Sequence, residues 1–207
     1  LPAIGIPERF FTAEGIEFYG QASYLKAAIR YSDKITTVSP TYAKEVLSPE
    51  LGCGLDGVLR AREGDFCGIL NGIDGDLWDP ATDIHLPHRF SSRDISGKRL
   101  CKVELQAEFG LEPQPDVPLI GFVSRLAHQK MADIILETVP GMVAAGAQLA
   151  LVGEGDPALE AAFEAMQRRF PQKVAIHIGY QESLAHRLQA GADILLAPAR
   201  FEPCGLT

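Results

Sequence analysis

The stretch Leu119–Asp133, LIGFVSRLAHQKMAD, decides the fold because it joins a short apolar run to the start of a helix. Residues 119–123 are apolar in succession, which is typical of a buried strand, and the run stops at Ser124. Arg125 and Lys130 follow in the turn and in the first helical positions. Helix N-termini present free backbone N–H groups and the positive end of a dipole, so they suit anions. The stretch therefore predicts a diphosphate site, or else two basic side chains that are merely solvated.

Three more apolar runs follow at regular intervals, at residues 148–153, 174–179 and 193–198. None alternates polar with apolar residues, which suits strands that helices cover on both faces. Helical segments separate the runs, and the second has Asp156 as its predicted N-cap. The order βαβαβαβ predicts an α/β fold with a parallel, doubly wound sheet and right-handed crossovers.

Ligands of such sheets bind at the carboxyl ends of the strands, so the residues just after each run matter most. A glycine-rich turn, GEGDP at 153–157, follows the second run, Tyr180 the third and Glu202 the fourth. Together with Arg125 and Lys130 they predict a site for a nucleotide carrying a diphosphate, with Tyr180 stacking on the base. GEGDP is not the G-x-G-x-x-G of a dinucleotide-binding fold and follows the second run, which argues against a dehydrogenase.

The N-terminal third predicts alternating short elements. They are a helix at 21–31, a strand at 34–40, a short helix at 41–47, a loop at 48–64 and a strand at 66–70. The turn Asn71-Gly72-Ile73-Asp74 follows, and by itself it indicates only a chain reversal.

The segment that precedes Leu119 combines an irregular linker with one helix. Residues 79–93 contain two prolines and two aspartates. Ser96 is the predicted cap of a helix at 97–109 that ends at Gly110. The predicted inner face of this helix carries Leu100, Val103 and Ala107.

Composition excludes several classes of protein. The net charge of −8 over 207 residues argues against a nucleic-acid or anionic-membrane surface. The four cysteines have wide spacings and no C-x-x-C pair, which predicts free thiols in a cytoplasmic protein and no disulfide or zinc framework. No apolar run approaches the roughly 18 residues of a membrane span. The residues predict no oligomeric state.

Several motifs together resemble the glycogen synthase and starch synthase family. They are VSPTYAKEV, LNGIDGDLWDPATD, SRLAHQK, GEGDPALE, IGYQESLAHR, GADILLAP and RFEPCGLT, in family-like order from about Gly5 to Thr207. The resemblance implies a retaining glucosyltransferase of the GT-B type, with a cleft between two Rossmann-like domains. It also implies transfer of glucose from ADP-glucose to the non-reducing end of an α-1,4-glucan, without a metal or other cofactor.

The resemblance also implies roles for individual residues. Arg125 and Lys130 match the pair that neutralises the diphosphate leaving group in place of Mg²⁺. Glu202 matches the acidic active-site residue, whose role we take to be stabilisation of an oxocarbenium-like state; taken alone it could be a surface carboxylate. Tyr180 matches the adenine-stacking position, and Asn71 matches an asparagine near the donor sugar.

The last residues match a turn whose backbone N–H groups meet the sugar and phosphate. They are Cys204, Gly205, Leu206 and Thr207. Cys204 as a nucleophile is a competing interpretation. His186, in the AHR segment, is interpreted as a helix residue that supports the third turn.

The sequence departs from the family pattern after Lys130, where Met131-Ala132 stands in place of Gly-Leu or similar. The family's K-x-G-G-L loop is not in the sequence. We therefore predict the tail of an N-terminal domain at 1–70, a linker and helix at 71–117, and the first half of a nucleotide-sugar domain at 118–207. The 207-residue chain alone is expected to lack synthase activity. Another retaining GT-B glycosyltransferase and a non-catalytic nucleotide- or glucan-binding relative remain as alternatives.

Overall fold

The computed structural model describes residues 5–205, which divide into two compact units. The first unit runs to Gly72, and residues 203–205 group with it; the second runs from Ile73 to Glu202. The predicted boundaries of the N-terminal domain, the linker and the nucleotide-sugar domain stay predictions.

The first unit contains short elements only. In chain order they are β1 (Glu17–Phe18), β2 (Gln21–Ala22), α1 (Tyr24–Tyr31), β3 (Ile35–Val38), α2 (Pro40–Glu45), α3 (Asp56–Arg60) and β4 (Phe66–Ile69). β1 and β2 form an antiparallel hairpin, whereas β3 and β4 pair in parallel. Both predicted strands of this region are therefore confirmed.

Two predictions for this unit need correction. The predicted helix at 21–31 begins only at Tyr24, because Gln21 and Ala22 belong to the hairpin and the Ser23 hydroxyl caps the helix by accepting from the Lys26 N–H. The predicted loop at 48–64 contains α3. Leu55 and Leu59, four residues apart, are both buried there, so this short segment folds as a helix against the core despite its neighbouring glycines.

The second unit is a four-stranded parallel sheet with helices on both faces. Its elements are α4 (Ser96–Glu108), β5 (Leu119–Val123), α5 (Ala132–Ala144), β6 (Gln148–Gly153), α6 (Pro157–Arg169), β7 (Val174–Ile178), α7 (Glu182–Gly191) and β8 (Ile194–Leu196). The strand order is β7-β6-β5-β8 and every pair is parallel. The predicted doubly wound sheet is confirmed, and β5 and β6 have the predicted bounds.

Alternate residues of β5, β6 and β7 enter two different cores, whereas Ile194 and Leu195 of β8 are 48% and 37% exposed, so the predicted cover of both faces is wrong for this strand. On one face Phe122 and Leu151 pack with Val139 of α5 and Phe163 of α6. On the other face the core includes Leu119, Val152 and Ala175 together with residues of α4 and α7. Since both faces of these three strands are covered, neither needs polar residues, which explains the continuous apolar runs.

The prediction for α4 was wrong about its cap and its inner face. Ser96 is the first helical residue, and the Asp94 carboxylate accepts from its N–H at 3.0 Å. Leu100 and Val103 are 50% and 38% exposed, and Ala107 is also exposed. The buried residues are Gly97, Cys101, Lys102, Leu105 and Gln106.

Polar partners explain why charged and amide side chains replace the predicted apolar face. The Lys102 ammonium donates to the carbonyl of Val117 at 2.7 Å and lies 2.6 Å from the Asp193 carboxylate. The Gln106 amide donates to Gln148 of β6 at 2.7 Å. Buried polar groups are tolerated when they are paired in this way. Apolar periodicity alone could not identify this face.

No helix within the described part of the chain, residues 5–205, is both long and apolar enough to cross a membrane.

Candidate active site

The turn after β5 carries both predicted cations. Residues His128–Lys130 form a short 3-10 turn, and α5 begins at Ala132. Lys130 therefore lies before the helix, whereas the sequence predicted it in a first helical position. The cause is Met131, which adopts the left-handed conformation (φ 53°, ψ 29°) at the N-cap of α5 and separates the two helical segments.

The glycine-rich turn after β6 packs directly on the turn after β5. The Leu126 N–H donates to the Glu154 carbonyl and the Asp156 N–H donates to the Leu126 carbonyl, both at 2.8 Å. A Cβ atom at Gly153 would lie 2.1 Å from the Ser124 carbonyl oxygen. Only glycine allows this close approach of the two backbones. The glycines therefore hold the cation-bearing turn in place.

The same glycine-rich turn begins α6 as the sequence predicted. The Asp156 carboxylate accepts from the Ala158 N–H at 2.8 Å, which confirms it as the N-cap. Glu160 accepts from the Gly155 N–H at 2.7 Å. The turn thus satisfies these backbone donors internally.

The structure brings Lys130 and Glu202 together. The Lys130 ammonium forms an ion pair with the Glu202 carboxylate, and the two side chains are 20% and 29% exposed. Gln129 joins the same group, since its amide donates to the Phe201 carbonyl at 2.7 Å and to Glu202 at 3.3 Å. Arg125 in turn donates to the Gln129 side-chain oxygen at 3.0 Å. The three predicted catalytic residues form one polar network at the carboxyl edge of the sheet.

A second ion pair fixes the segment that carries Glu202. The Arg200 guanidinium meets both oxygens of Asp133, in the first turn of α5, at 2.8 Å each. It also donates to the His128 carbonyl, and its own N–H donates to the Gln129 carbonyl at 2.9 Å. The hydrogen bonds from Arg200 lower the pKa of Asp133 to about 2, and the carboxylate raises the pKa of Arg200. Both groups are therefore charged at neutral pH.

Sequence reasoning assigned no role to Gln129, Asp133 or Arg200. All three occur in quoted motifs, but the ion pair of Arg200 with Asp133 spans 67 positions and the contact of Gln129 with Glu202 spans 73. Convergence of the strand ends was a signal that these segments meet. It did not identify which side chains pair.

The remaining predicted residues are placed as follows. Tyr180 lies two residues after β7 and is 64% exposed, as a stacking surface requires. Asn71 is exposed and belongs to the first unit. Cys204 is half-buried and Gly205 exposed, and both group with the first unit. Leu206 and Thr207 lie outside the described residues. The assignments of these six residues to the nucleotide sugar stay predictions.

His186 lies in α7 and is buried, in agreement with its interpretation as a supporting helix residue. Its Nδ1 atom lies 2.6 Å from the Asp83 carboxylate, and its ring stacks on Trp78 with centroids 3.6 Å apart. These contacts fasten the irregular segment before α4 to α7. All four cysteines are free, as predicted. Within residues 5–205, no three His, Cys, Asp or Glu side chains cluster closely enough to hold a metal ion.

Comparison with known proteins identifies relatives over nearly the whole chain. The family described as "Starch synthase catalytic domain" matches residues 1–61, and "Glycosyl transferases group 1" matches residues 117–207. A glycogen synthase of Anaeromyxobacter dehalogenans is 51% identical over 206 residues, which cover 100% of this chain and 43% of that protein. One from Burkholderia thailandensis is 53% identical, covering 99% of this chain and 39% of its own length.

A solved structure agrees with these matches. The catalytic domain of starch synthase IV from Arabidopsis thaliana, bound to ADP and acarbose, superposes with a TM-score of 0.91 at 35% identity. The match covers 98% of this chain and 43% of that one. The chain thus spans about two fifths of the length of these relatives. With its α/β fold of the GT-B type, it belongs to the family of glycogen and starch synthases.

Proposed function

We propose that the protein to which this chain belongs is a glycogen synthase. It transfers glucose from ADP-glucose to the non-reducing end of an α-1,4-glucan such as glycogen, with retention of configuration, in the cytoplasm. The observation that carries the proposal is the network of Arg125, Lys130 and Glu202 at the carboxyl edge of a parallel sheet. The relatives named glycogen synthase and the ADP-bound starch synthase support the choice of reaction and donor.

The charges of this network fit the departure of a nucleoside diphosphate. As the bond between glucose and ADP breaks, negative charge grows on the diphosphate and positive charge on the sugar. Arg125 and Lys130 stabilise the first of these charges, and prepositioned charged donors of this kind supply a large part of catalysis. Glu202 stabilises the second, as carboxylates do for oxocarbenium-like states. The proposal requires no metal, because the two side chains take the place of a divalent cation.

The other predicted residues complete the proposed donor site. Tyr180 stacks on the adenine, and its exposed ring supports that role. Asn71 lies near the donor sugar. The backbone N–H groups of the turn that starts at Cys204 bind sugar and phosphate; the turn comprises Cys204, Gly205, Leu206 and Thr207.

Glucan elongation measured for the enzyme at the full length of its relatives tests this proposal. We expect incorporation of glucose from ADP-glucose, weaker incorporation from UDP-glucose, and no loss of activity with EDTA. NMR of a reaction followed in real time should show an α-linked product from the α-linked donor. The 207-residue chain alone should not elongate glucan.

Different failures point to different alternatives. A clear preference for UDP-glucose would show that the donor is UDP-glucose and not ADP-glucose. Transfer to an acceptor other than α-1,4-glucan would indicate another GT-B glycosyltransferase. Binding of ADP without transfer would indicate a non-catalytic relative. Inhibition by EDTA that Mg²⁺ reverses would contradict the metal-free mechanism.

A further inference from the structure

We infer that Gln129 is a positioning residue that sets Arg125 and Glu202 relative to each other and keeps the two charges from pairing. The inference rests on the proposed function, since it assigns Arg125 to the diphosphate and Glu202 to the sugar. It concerns a residue to which neither the sequence motifs nor the proposed mechanism gives a task.

Gln129 lies at the centre of the network and forms hydrogen bonds with both polar atoms of its side-chain amide. Its oxygen accepts from the Arg125 guanidinium at 3.0 Å. Its nitrogen donates to the Phe201 carbonyl at 2.7 Å and to the Glu202 carboxylate at 3.3 Å. The main chain adds a fourth contact, because the Gln129 carbonyl accepts from the Arg200 N–H at 2.9 Å.

These partners leave only one orientation for the amide. A guanidinium can only donate, whereas a main-chain carbonyl and an ionised carboxylate can only accept. A flipped amide would face donor against donor at Arg125 and acceptor against acceptor at Phe201 and Glu202. The amide is therefore held in one orientation by Arg125, in its own turn after β5, and by Phe201 and Glu202, in the segment after β8. Gln129 and Phe201 lie 72 positions apart in the sequence.

The charges of Lys130, Arg125 and Glu202 explain why a neutral residue is needed between Arg125 and Glu202. Glu202 already has one cation, Lys130, in direct contact. A second cation drawn onto the same carboxylate would leave the diphosphate without a free partner and would further neutralise the charge that faces the sugar. Gln129 occupies the donor position beside Glu202 with an uncharged N–H and holds Arg125 by its oxygen. An amide is the neutral side chain that both donates and accepts at this length.

Replacement of Gln129 in the full-length enzyme tests the inference by separating kinetic constants. For Gln129→Ala we expect kcat/KM for ADP-glucose to fall about 10- to 100-fold, as in the loss of one positioned donor. The KM for ADP-glucose should rise and kcat should fall, while the KM for glucan stays unchanged. A variant that is merely less folded would lower kcat by its active fraction and leave both KM values unchanged.

Gln129→Glu gives a second readout through pH. This variant still accepts from Arg125, but it lacks the N–H donor and places a second carboxylate beside Glu202. Activity should recover at acidic pH, where the new carboxyl is protonated and can donate, and it should fall as pH rises through the pKa of that group. The parent enzyme should lack this acidic rise.

Gln167→Ala is the matched control. Gln167 lies on α6, and its oxygen accepts from the Ile176 N–H at 2.6 Å, so the variant loses one side-chain hydrogen bond away from the network. It should retain the kinetic constants of the parent. Parent-like values for Gln129→Ala, or equal losses in the two alanine variants, would overturn the inference.

The parent enzyme decides the proposed function separately. If the parent prefers another nucleotide sugar, the same variants are compared with that donor. If it transfers no sugar, calorimetry of ADP binding takes the place of kinetics, and Gln129→Ala should weaken ADP binding about 10-fold while Gln167→Ala does not. Unchanged ADP affinity would contradict the role of Gln129 even though the proposed function had failed for other reasons.

Discussion

The turns after β5 and β6 lie side by side at one sheet edge and share backbone contacts, yet their side chains differ. The turn after β6 contributes backbone groups: Glu154 and Asp156 pair with Leu126 of the turn after β5, and glycines remove the side chains that would prevent the approach. The turn after β5 directs charged side chains to partners that are themselves charged or polar, including Lys130 to Glu202.

The two turns therefore have different tasks: the turn after β6 supports its neighbour, and the turn after β5 carries the charged side chains of the proposed site. Backbone contacts of this kind cannot be exchanged for a ligand without moving the chain. A partly exposed ammonium–carboxylate pair such as Lys130 with Glu202 can exchange partners at little cost, because ion pairs in contact with water contribute little net free energy. The turn after β6 thus supports the backbone of the turn after β5, whose charged side chains can exchange their partners for a diphosphate. The variants of Lys130, Gly153 and Met131 below each change one of these two turns, and those of Asp133 and Arg200 change the ion pair beside them.

The largest expected effect is the loss of the Lys130 charge in the turn after β5. Lys130→Met keeps much of the side-chain length but removes the ammonium. We expect the kcat of the full-length enzyme with ADP-glucose to fall about 100- to 1000-fold, or roughly 3–4 kcal/mol, as for the loss of a transition-state donor. The free energy of unfolding in urea should change by no more than about 1 kcal/mol, since this partly exposed pair adds little stability.

Lys173→Met is the matched control for this change. Lys173 precedes β7, at the opposite edge of the sheet, and pairs with Glu112 at 2.7 Å. Its replacement should leave kcat unchanged. A similar loss in both variants, or an active Lys130→Met enzyme, would contradict the role of Lys130.

The next effect concerns the turn after β6 and should appear in stability. Gly153→Ala places a Cβ atom 2.1 Å from the Ser124 carbonyl oxygen, which requires the two turns to separate. We expect a loss of about 2–3 kcal/mol in the free energy of unfolding, as for other forced overpacking. Urea denaturation followed by circular dichroism measures it.

Gly141→Ala provides the comparison within the same unit. Gly141 lies in α5, and a Cβ atom there would meet nothing within 4 Å. Alanine should therefore stabilise the helix by up to about 1 kcal/mol. Equal effects of the two substitutions would show that the contact at Gly153 does not hold the turns together.

The sheet could be predicted from the sequence because its signal is local. Fully buried parallel strands are continuous apolar runs, and β5 and β6 coincide with the predicted residues. The inner face of α4 could not be predicted in the same way, since Lys102 and Gln106 are buried by partners that lie far away in the sequence.

The candidate site divides along the same line. Arg125, Lys130 and Glu202 were chosen from the positions of strand ends and from the family resemblance, and the structure joins them in one network. Their connection through Gln129 depends on side-chain geometry across two turns. The position of Lys130 before the helix depends on the backbone of Met131, for which the left-handed conformation is unusual.

The third prediction returns to the turn after β5, and its effect, on stability at Met131, is smaller. Its side chain is half-buried and its backbone is left-handed, so Met131→Ala loses packing only, whereas Met131→Gly loses the same packing but also relieves the backbone. The glycine variant should be more stable than the alanine variant by about 1 kcal/mol, because only residues with a Cβ strain the left-handed region.

Urea midpoints of the two variants measure this difference directly. Ala165, an exposed residue in the interior of α6, serves as a control, since Ala165→Gly should destabilise that helix by roughly 0.5–1 kcal/mol. A higher stability with alanine than with glycine at position 131, as expected at position 165, would contradict the left-handed conformation of Met131.

The smallest effect is the pH dependence contributed by the Arg200–Asp133 pair, which holds the segment of Glu202 to α5. The pKa of Asp133 is lowered from 3.8 to about 2, chiefly by the hydrogen bonds from Arg200. A carboxyl with a depressed pKa in the folded state adds stability above its unfolded pKa and loses it as pH falls through the folded value. Urea midpoints of the parent should therefore decline between pH 4 and pH 2 more steeply than those of Asp133→Asn, at constant ionic strength.

Arg200→Lys separates the ion pair from the carboxyl itself. Lysine retains the charge but cannot form two parallel hydrogen bonds to Asp133, so the pKa of Asp133 should rise towards its ordinary value and the decline should become shallower. Parallel curves for the parent and Asp133→Asn would show that Arg200 does not depress this pKa. In that case no ion pair would fix the segment of Glu202 to α5. That segment would then be held by the contacts of Gln129 with Phe201 and Glu202.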